Sequence, residues 1–210
     1  MDKKEQLRSD ILDIAMYAID RAKPDAVVKE ALDKAHIDGD IYLVAVGKAA
    51  WQMADAAVKY LDHPIQKGIV LTKYEHAKGE IPGVVCLEAG HPVPDENSVI
   101  GTQKILEMTQ NLKASDTVLF LLSGGGSALF EKPLISLEEL KEITERMLRS
   151  GMCITQMNTI RKRLSAVKGG RFAQWCAPAR VETIILSDVI GDKVDMIASG
   201  PTVADPSTCA

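Results

Sequence analysis

Aromatic residues are scarce in this 210-residue chain, at 4% of the total. That scarcity argues against the stacking platforms on which single-stranded nucleic acids are held. Excess positive charge is missing too. The formal net charge is −4, whereas a nucleic-acid backbone binder needs a basic footprint. The four cysteines (Cys86, Cys153, Cys176 and Cys209) include no Cys-x-x-Cys pair, and the four histidines are equally scattered. Zinc-ligand spacing is therefore absent, and the cysteines read as reduced, structural thiols. No apolar run reaches the roughly 18 residues needed to cross a bilayer. The opening Met1-Asp2-Lys3-Lys4-Glu5-Gln6 is polar and lacks the apolar stretch of a signal peptide. A cytoplasmic protein that touches neither nucleic acid nor membrane is the expectation.

What is present is ordinary for a globular protein. The chain is 46% hydrophobic and 26% charged, enough for a single α/β domain over residues 1–210. Apolar periodicity predicts helices over 3–22, from Pro24 to Ala35, and over 48–61, 95–112, 137–149 and 154–167. Asp95 is placed to cap the fourth of these, and Ser136 with Glu139 forms a capping-box pattern before the fifth. Short apolar runs predict strands at 41–46, 68–72, 84–88, 117–122 and 181–186. Strands apolar on both faces, alternating with helices, imply a Rossmann-like three-layer α/β/α sandwich with a mostly parallel sheet. Ligands of such sheets bind beyond the carboxyl ends of the strands, which directs attention to the loops after Val46, Leu87, Leu122 and Leu186.

Ser123-Gly124-Gly125-Gly126-Ser127 follows the strand Thr117–Leu122. Bare glycine amides flanked by hydroxyls form a nest for phosphate or carboxylate; a tight turn using glycine only for its dihedrals is the alternative. The spacing is neither a dinucleotide fingerprint, since Leu129 stands where the third glycine belongs, nor a Walker loop. Gly47-Lys48 places a cation at the start of a helix, read as a ligand contact in preference to a solvated lysine. Asn158, Arg161, Lys162 and Ser165 share a helix side opposite Met157, Ile160, Leu164 and Val167, and Lys168-Gly169-Gly170-Arg171 follows. Such a cationic face can grip an anion, or it can be a solvated surface. Asp188 and Asp192 follow the last strand and can hold Mg²⁺ or take a proton, although aspartates also serve turns and caps. His91, between Gly90 and Pro92, fits substrate contact or a structural turn equally.

Taken together, several segments resemble the N-terminal domain of the MOFRL-type, or class II, glycerate 2-kinases. They are Val46-Gly47-Lys48-Ala49-Ala50, Gly90-His91-Pro92-Val93-Pro94-Asp95, Leu122 to Leu129, Asn158-Thr159-Ile160-Arg161-Lys162, Lys168 to Arg171, Leu186 to Asp192, and Ala198-Ser199-Gly200-Pro201-Thr202. Two positions depart from the family's habit. Arg163 stands where His is frequent, and Lys193 follows Asp192 where a second Asp is frequent.

The resemblance implies transfer of the ATP γ-phosphoryl group to the 2-hydroxyl of D-glycerate, giving 2-phosphoglycerate, with ATP and Mg²⁺. It makes Lys48 and Asp188 the catalytic candidates. Gly47, Ser123, Gly124, Gly125, Gly126, Ser127, Asn158, Arg161, Lys168, Gly169, Gly170 and Arg171 become candidates for binding substrate or nucleotide, and Asp188 and Asp192 for Mg²⁺. Partners are then D-glycerate and a nucleotide, with a homodimer left open. The family continues into a C-terminal domain about where this chain reaches Ala210, and its active site lies in the cleft between the two. Residues 1–210 are therefore expected to fold as a truncated, inactive half. Two rivals remain: hydroxypyruvate reductase, a label attached to relatives of this family but lacking its dinucleotide fingerprint here, and a non-catalytic phosphosugar-binding module.

Overall fold

The computed structural model describes residues 2–187, 189 and 191–208. Five strands, β1 (Ile41–Val46), β2 (Ile65–Lys73), β3 (Val84–Ala89), β4 (Thr117–Ser123) and β5 (Arg180–Leu186), form one sheet in the order β3-β2-β1-β4-β5. Every pairing in it is parallel. All of β4 is buried, as expected of a central strand covered on both faces.

Strand alternation sends neighbouring side chains to opposite layers. On one face, Leu43, Ala45, Leu119 and Leu121 pack with Val28 and Leu32 of α2 (Pro24–Lys34) and Met53, Ala54 and Ala57 of α3 (Ala50–Tyr60). On the other, Val44, Val46, Phe120 and Leu122 meet Ile105 and Leu106 of α4 (Glu96–Met108), Leu129 of α5 (Gly126–Leu129), and Phe172 and Cys176 of α8 (Arg171–Cys176). The three-layer sandwich is thus the observed architecture. Although aromatics are few, all three phenylalanines of the chain meet: Phe120, Phe130 and Phe172 have ring centroids 5.1, 5.1 and 5.7 Å apart. Burial pushes the adjacent Cys176 thiol up to about 12, so it remains an inert thiol at neutral pH. The remaining helices are α1 (Lys3–Arg21), α6 (Leu137–Arg149) and α7 (Ile154–Arg163). Among the described residues no helix is long and apolar enough to cross a membrane.

Asp95 and Ser136 cap α4 and α6 as expected, each accepting a backbone N–H three residues on. Three expectations change. The α7 helix stops at Arg163 rather than Val167, because the chain beyond it pairs with residues 132–134. Leu134 N–H donates to Leu164 O (2.9 Å) and Ala166 N–H to Lys132 O (2.8 Å). The α4 helix ends at Met108, short of Leu112. The short helices α5 and α8 lie where none was expected; each begins after a glycine with positive φ, Gly125 (93°) and Gly170 (84°). Segments of this length are too short to show a helical period.

The sheet order matters for function. From β1 the chain proceeds outward to β2 and β3, and from β4 outward to β5, so the topological switch point lies between β1 and β4. Their two carboxyl-end loops, Gly47-Lys48 and Ser123–Ser127, are therefore brought side by side at the place where open α/β sheets bind ligands.

Candidate active site

Backbone contacts stitch these two loops together. Gly47 has φ +123°, and a Cβ there would lie 2.2 Å from Ser123 Oγ, so only glycine permits this approach of β1 to β4. Lys48 N–H donates to Gly124 O (2.8 Å), and Ala49 N–H donates to Ser123 Oγ (3.1 Å). Ser123 Oγ–H is oriented toward Val46 O (3.4 Å), and Thr72 Oγ1–H donates to Gly47 O (2.9 Å). Ser123 is consequently buried, and its hydroxyl fastens the loop instead of facing a ligand. That corrects its expected place among the anion contacts.

Gly124, Gly125 and Ser127 are half-buried, and Gly125 is also at positive φ. A Cβ on Gly125 would sit 3.0 Å from His91 Cδ2 and 3.3 Å from Lys48 Cγ. Lys48, His91 and Gly125 thus converge from the ends of β1, β3 and β4 on one spot. His76 Nδ1 lies 2.9 Å from Lys48 O, and Glu88 Oε1 accepts the N–H groups of His76 (3.0 Å) and Ala77 (2.9 Å), which ties the loop after β2 to the same end of the sheet.

The loop that carries His91 is anchored at Asp95. Asp95 accepts a hydrogen bond from Tyr74 Oη–H (2.6 Å) and one from Ser98 N–H (2.9 Å), and the Gly90 amide donates to it as well. Partial burial alone would raise the Asp95 pKa; these hydrogen bonds outweigh it and hold the carboxyl below its usual value. Asp95→Ala is expected to lower stability by about 1–2 kcal/mol, read as a lower urea midpoint. Because the folded-state pKa is lowered, the stabilisation is complete above the ordinary carboxylate pKa of about 4 and fades as pH falls through the lowered value. Wild type and variant should therefore converge in acid.

Next to Gly125 and Ser127 opens a cavity of about 400 Å³. The 91–94 loop forms one wall; Leu140, Thr144 and Leu148 of α6 and Ile154, Met157 and Arg161 of α7 form the others. Arg161 is half-buried there and forms no ion pair among the described residues. Burial lowers its pKa, and the nearby charge of Glu131 opposes that shift. Glu131 also lines the cavity and is 2% exposed. Its Oε2 accepts Lys168 Nζ–H (2.8 Å), while Oε1 has no hydrogen-bond partner. Glu131 carries no motif that would have marked it in the sequence; its one signal is a charge directly after Ala128-Leu129-Phe130.

The expected cationic face turns inward. Lys168 is fully buried and donates also to Phe130 O (2.8 Å). Burial lowers its pKa against the pull of Glu131. Lys162, 1% exposed, pairs with Asp195 (3.2 Å) and Asp205 (3.3 Å). Arg171 donates to the carbonyls of Lys162, Ser165 and Lys168, closing the end of α7. Gly169 and Gly170 donate N–H to Ser199 O (3.0 Å) and Gly200 O (2.8 Å). Asn158 is buried; its amide reaches Met196 O (3.5 Å) and its Oδ1 lies 3.4 Å from Ser199 Oγ. Asn158, Lys168, Gly169, Gly170 and Arg171 therefore build the floor beneath the site, and the reading of them as ligand-gripping groups gives way to this one. The physical reason is tertiary: the 195–205 segment brings Asp195, Asp205 and the carbonyls of Ser199 and Gly200, and Phe130 with Glu131 takes up Lys168, partners that a helical wheel does not contain.

Ser127 connects floor and site, with its Oγ 3.1 Å from Ser199 Oγ. Ala198, Ser199 and Gly200 all have positive φ (49°, 62° and 60°), two of them without glycine's freedom. Asp192 lies apart, in a separate hollow of about 440 Å³ with Ser187, Val194 and Ile197, and Asp188 lies outside the described residues. No cluster of three or more His, Cys, Asp or Glu side chains suited to a metal comes together among the described residues.

A family model described as a domain of unknown function, DUF4147, matches residues 10–210. The chain belongs to the DUF4147 family. This DUF4147 chain is 52% identical over 206 residues to a D-glycerate 2-kinase of Thermotoga maritima, covering 97% of the chain and 49% of that relative. A relative from Agrobacterium vitis, 44% identical over 176 residues, bears a hydroxypyruvate reductase name; the match covers 82% of the chain and 40% of that protein. A solved glycerate kinase structure from Thermotoga maritima superposes with a TM-score of 0.90 at 52% identity, over 97% of this chain and 50% of that one. The resemblance read from the motifs is thereby borne out. The chain spans about half the length of the curated relatives it matches.

Proposed function

We propose that this DUF4147 domain forms one wall of a glycerate 2-kinase active site, which passes the γ-phosphoryl group of ATP to the 2-hydroxyl of D-glycerate. The observation that carries the reading is the convergence of Lys48, His91 and the Gly125–Ser127 turn at the switch point between β1 and β4. It is supported by the names of the relatives, of which a D-glycerate 2-kinase is 52% identical.

Phosphoryl transfer asks a protein to align reactants and to offset charge, with little covalent chemistry of its own. Lys48 would place its ammonium beside the transferring group, and the amides at Gly125–Ser127 would turn toward phosphate or carboxylate oxygens. Arg161, at the cavity wall, would hold a second anionic group. Bound Mg²⁺ would offset charge on the ATP phosphates. A magnesium ion needs only one or two carboxylates when phosphates complete its shell, and Asp192 with Asp188 is the pair offered for that. Asp192 opens onto a different hollow from Arg161.

The reductase alternative lacks a dinucleotide fingerprint, as Leu129 occupies the third glycine position. A coupled assay separates the two on the chain completed by the segment corresponding to the relatives' other half. ADP formation dependent on D-glycerate and ATP–Mg is expected. NADH oxidation with hydroxypyruvate and no ADP formation would reverse the assignment. Residues 1–210 alone are expected to give neither.

A further inference from the structure

The cavity beside Gly125 and Ser127 is larger and less polar than a three-carbon acid requires. At about 400 Å³ it falls among sites that hold cofactor-sized ligands. Pro92, Val93 and Pro94 supply one wall, and Leu148, Ile154 and Met157 much of the others. Val93, Leu148 and Ile154 are 53%, 61% and 62% exposed, so each wall carries apolar surface that the domain leaves uncovered. Polar groups on these walls are few. Thr144 Oγ1–H is taken up by Leu140 O (2.8 Å), and the Glu131 charge is paired with Lys168. Arg161 remains for a ligand.

D-glycerate carries a hydroxyl or carboxyl on each of its carbons, and against such walls its hydroxyls would lack partners. A nucleobase has two apolar faces and confines its polar atoms to its rim, which suits apolar walls. The cavity also borders the Gly125–Ser127 turn. A nucleotide whose terminal phosphate meets Lys48 and that turn can extend into it, with Arg161 meeting a phosphate nearer the ribose.

We propose that the cavity between the 91–94 loop, α6 and α7 receives the base of the nucleotide, and that the acceptor lies outside it. The proposal rests on the kinase reading for the phosphates at the turn; the choice of a base over the acceptor comes from the walls. Adenosine is common to ATP and NADH, so the site by itself favours neither.

Every wall belongs to residues 1–210, so this chain alone should bind the base. With isotope-labelled Ile, Leu and Met methyl groups followed by NMR, adenosine and ATP–Mg should each shift the Leu148, Ile154 and Met157 signals, with a Kd in the millimolar range or tighter. D-glycerate should leave those signals in place. Thr144→Trp, which fills the cavity, should abolish adenosine binding. Leu148→Asp, at an exposed position where the fold should survive, should weaken it about fivefold or more; adenosine is neutral, so charge repulsion does not enter. Unshifted methyl signals at about 10 mM adenosine would overturn the proposal. So would a matching shift with D-glycerate, or adenosine binding that Leu148→Asp leaves unchanged. Adenosine binding here, with NADH oxidation and no ADP formation by the completed chain, would count against the kinase reading and leave this site standing. ADP formation by the completed chain without adenosine binding by residues 1–210 would do the reverse.

Discussion

Lys168→Met should destabilise the chain by about 3–5 kcal/mol, the largest stability loss expected of any single change near the site. Lys168 is fully buried and Glu131 is 2% exposed, so removing the ammonium strands a carboxylate that already has one oxygen without a partner. Against a total of about 5–15 kcal/mol, that loss is a large fraction of what holds the domain folded. The ion pair itself is a weak source of stability, because burying both charges costs much of what their attraction returns. Lys168→Met combined with Glu131→Leu should therefore recover most of the loss. Urea unfolding of the single and double variants closes the cycle. A Lys168→Met chain as stable as wild type would show that the pair carries no structural weight. Loss of the Glu131 charge also removes an anion that acts on Arg161, so the double variant should alter ligand affinity while restoring the fold.

Lys48→Ala should lower glycerate-dependent ATP turnover of the completed two-part enzyme at least tenfold, about 1.4 kcal/mol or more of transition-state stabilisation. The side chain is exposed at the end of β1, and its backbone N–H, which holds the loop to Gly124 O, survives the substitution. Urea unfolding of each variant reports whether the fold is intact. Lys48→Arg keeps the charge but not the compact ammonium, and is expected to restore turnover only in part. Unchanged turnover in Lys48→Ala, with the fold intact, would remove this lysine from the mechanism.

The residues that form the site divide sharply in how legible they were. Gly47 and the 123–127 loop could be found because each ends an apolar strand run, and parallel topology sends all such ends to one side. Their adjacency followed from the sheet order, which places β1 beside β4. His91 remained undecided between substrate contact and a turn until its ring was found against Gly125. Glu131 is not legible in the sequence, since a lone carboxylate in the loop just past α5 belongs to no pattern. The Asn158–Arg171 segment misled for a definite reason: a helical wheel gives the direction of a side chain, not what lies opposite it. Asp195, Asp205 and the carbonyls of Ser199 and Gly200 all lie more than thirty residues from Lys162, and they decide that its face points inward.

Local chemistry alone determined the five strands and the longer helices, the parallel three-layer architecture, the caps at Asp95 and Ser136, and the end of the sheet where a ligand belongs. Those features depend on apolar periodicity and on turn residues, which act over a few positions along the chain. Tertiary structure alone decided which cations remain available to a ligand and which are spent holding the floor, because burial and ion pairing depend on partners distant in sequence. It decided equally that the apolar positions of α1, which resemble those of any core helix, face outward. A periodic pattern states that a helix has a face to bury; only the assembled domain reveals that nothing within it covers that face.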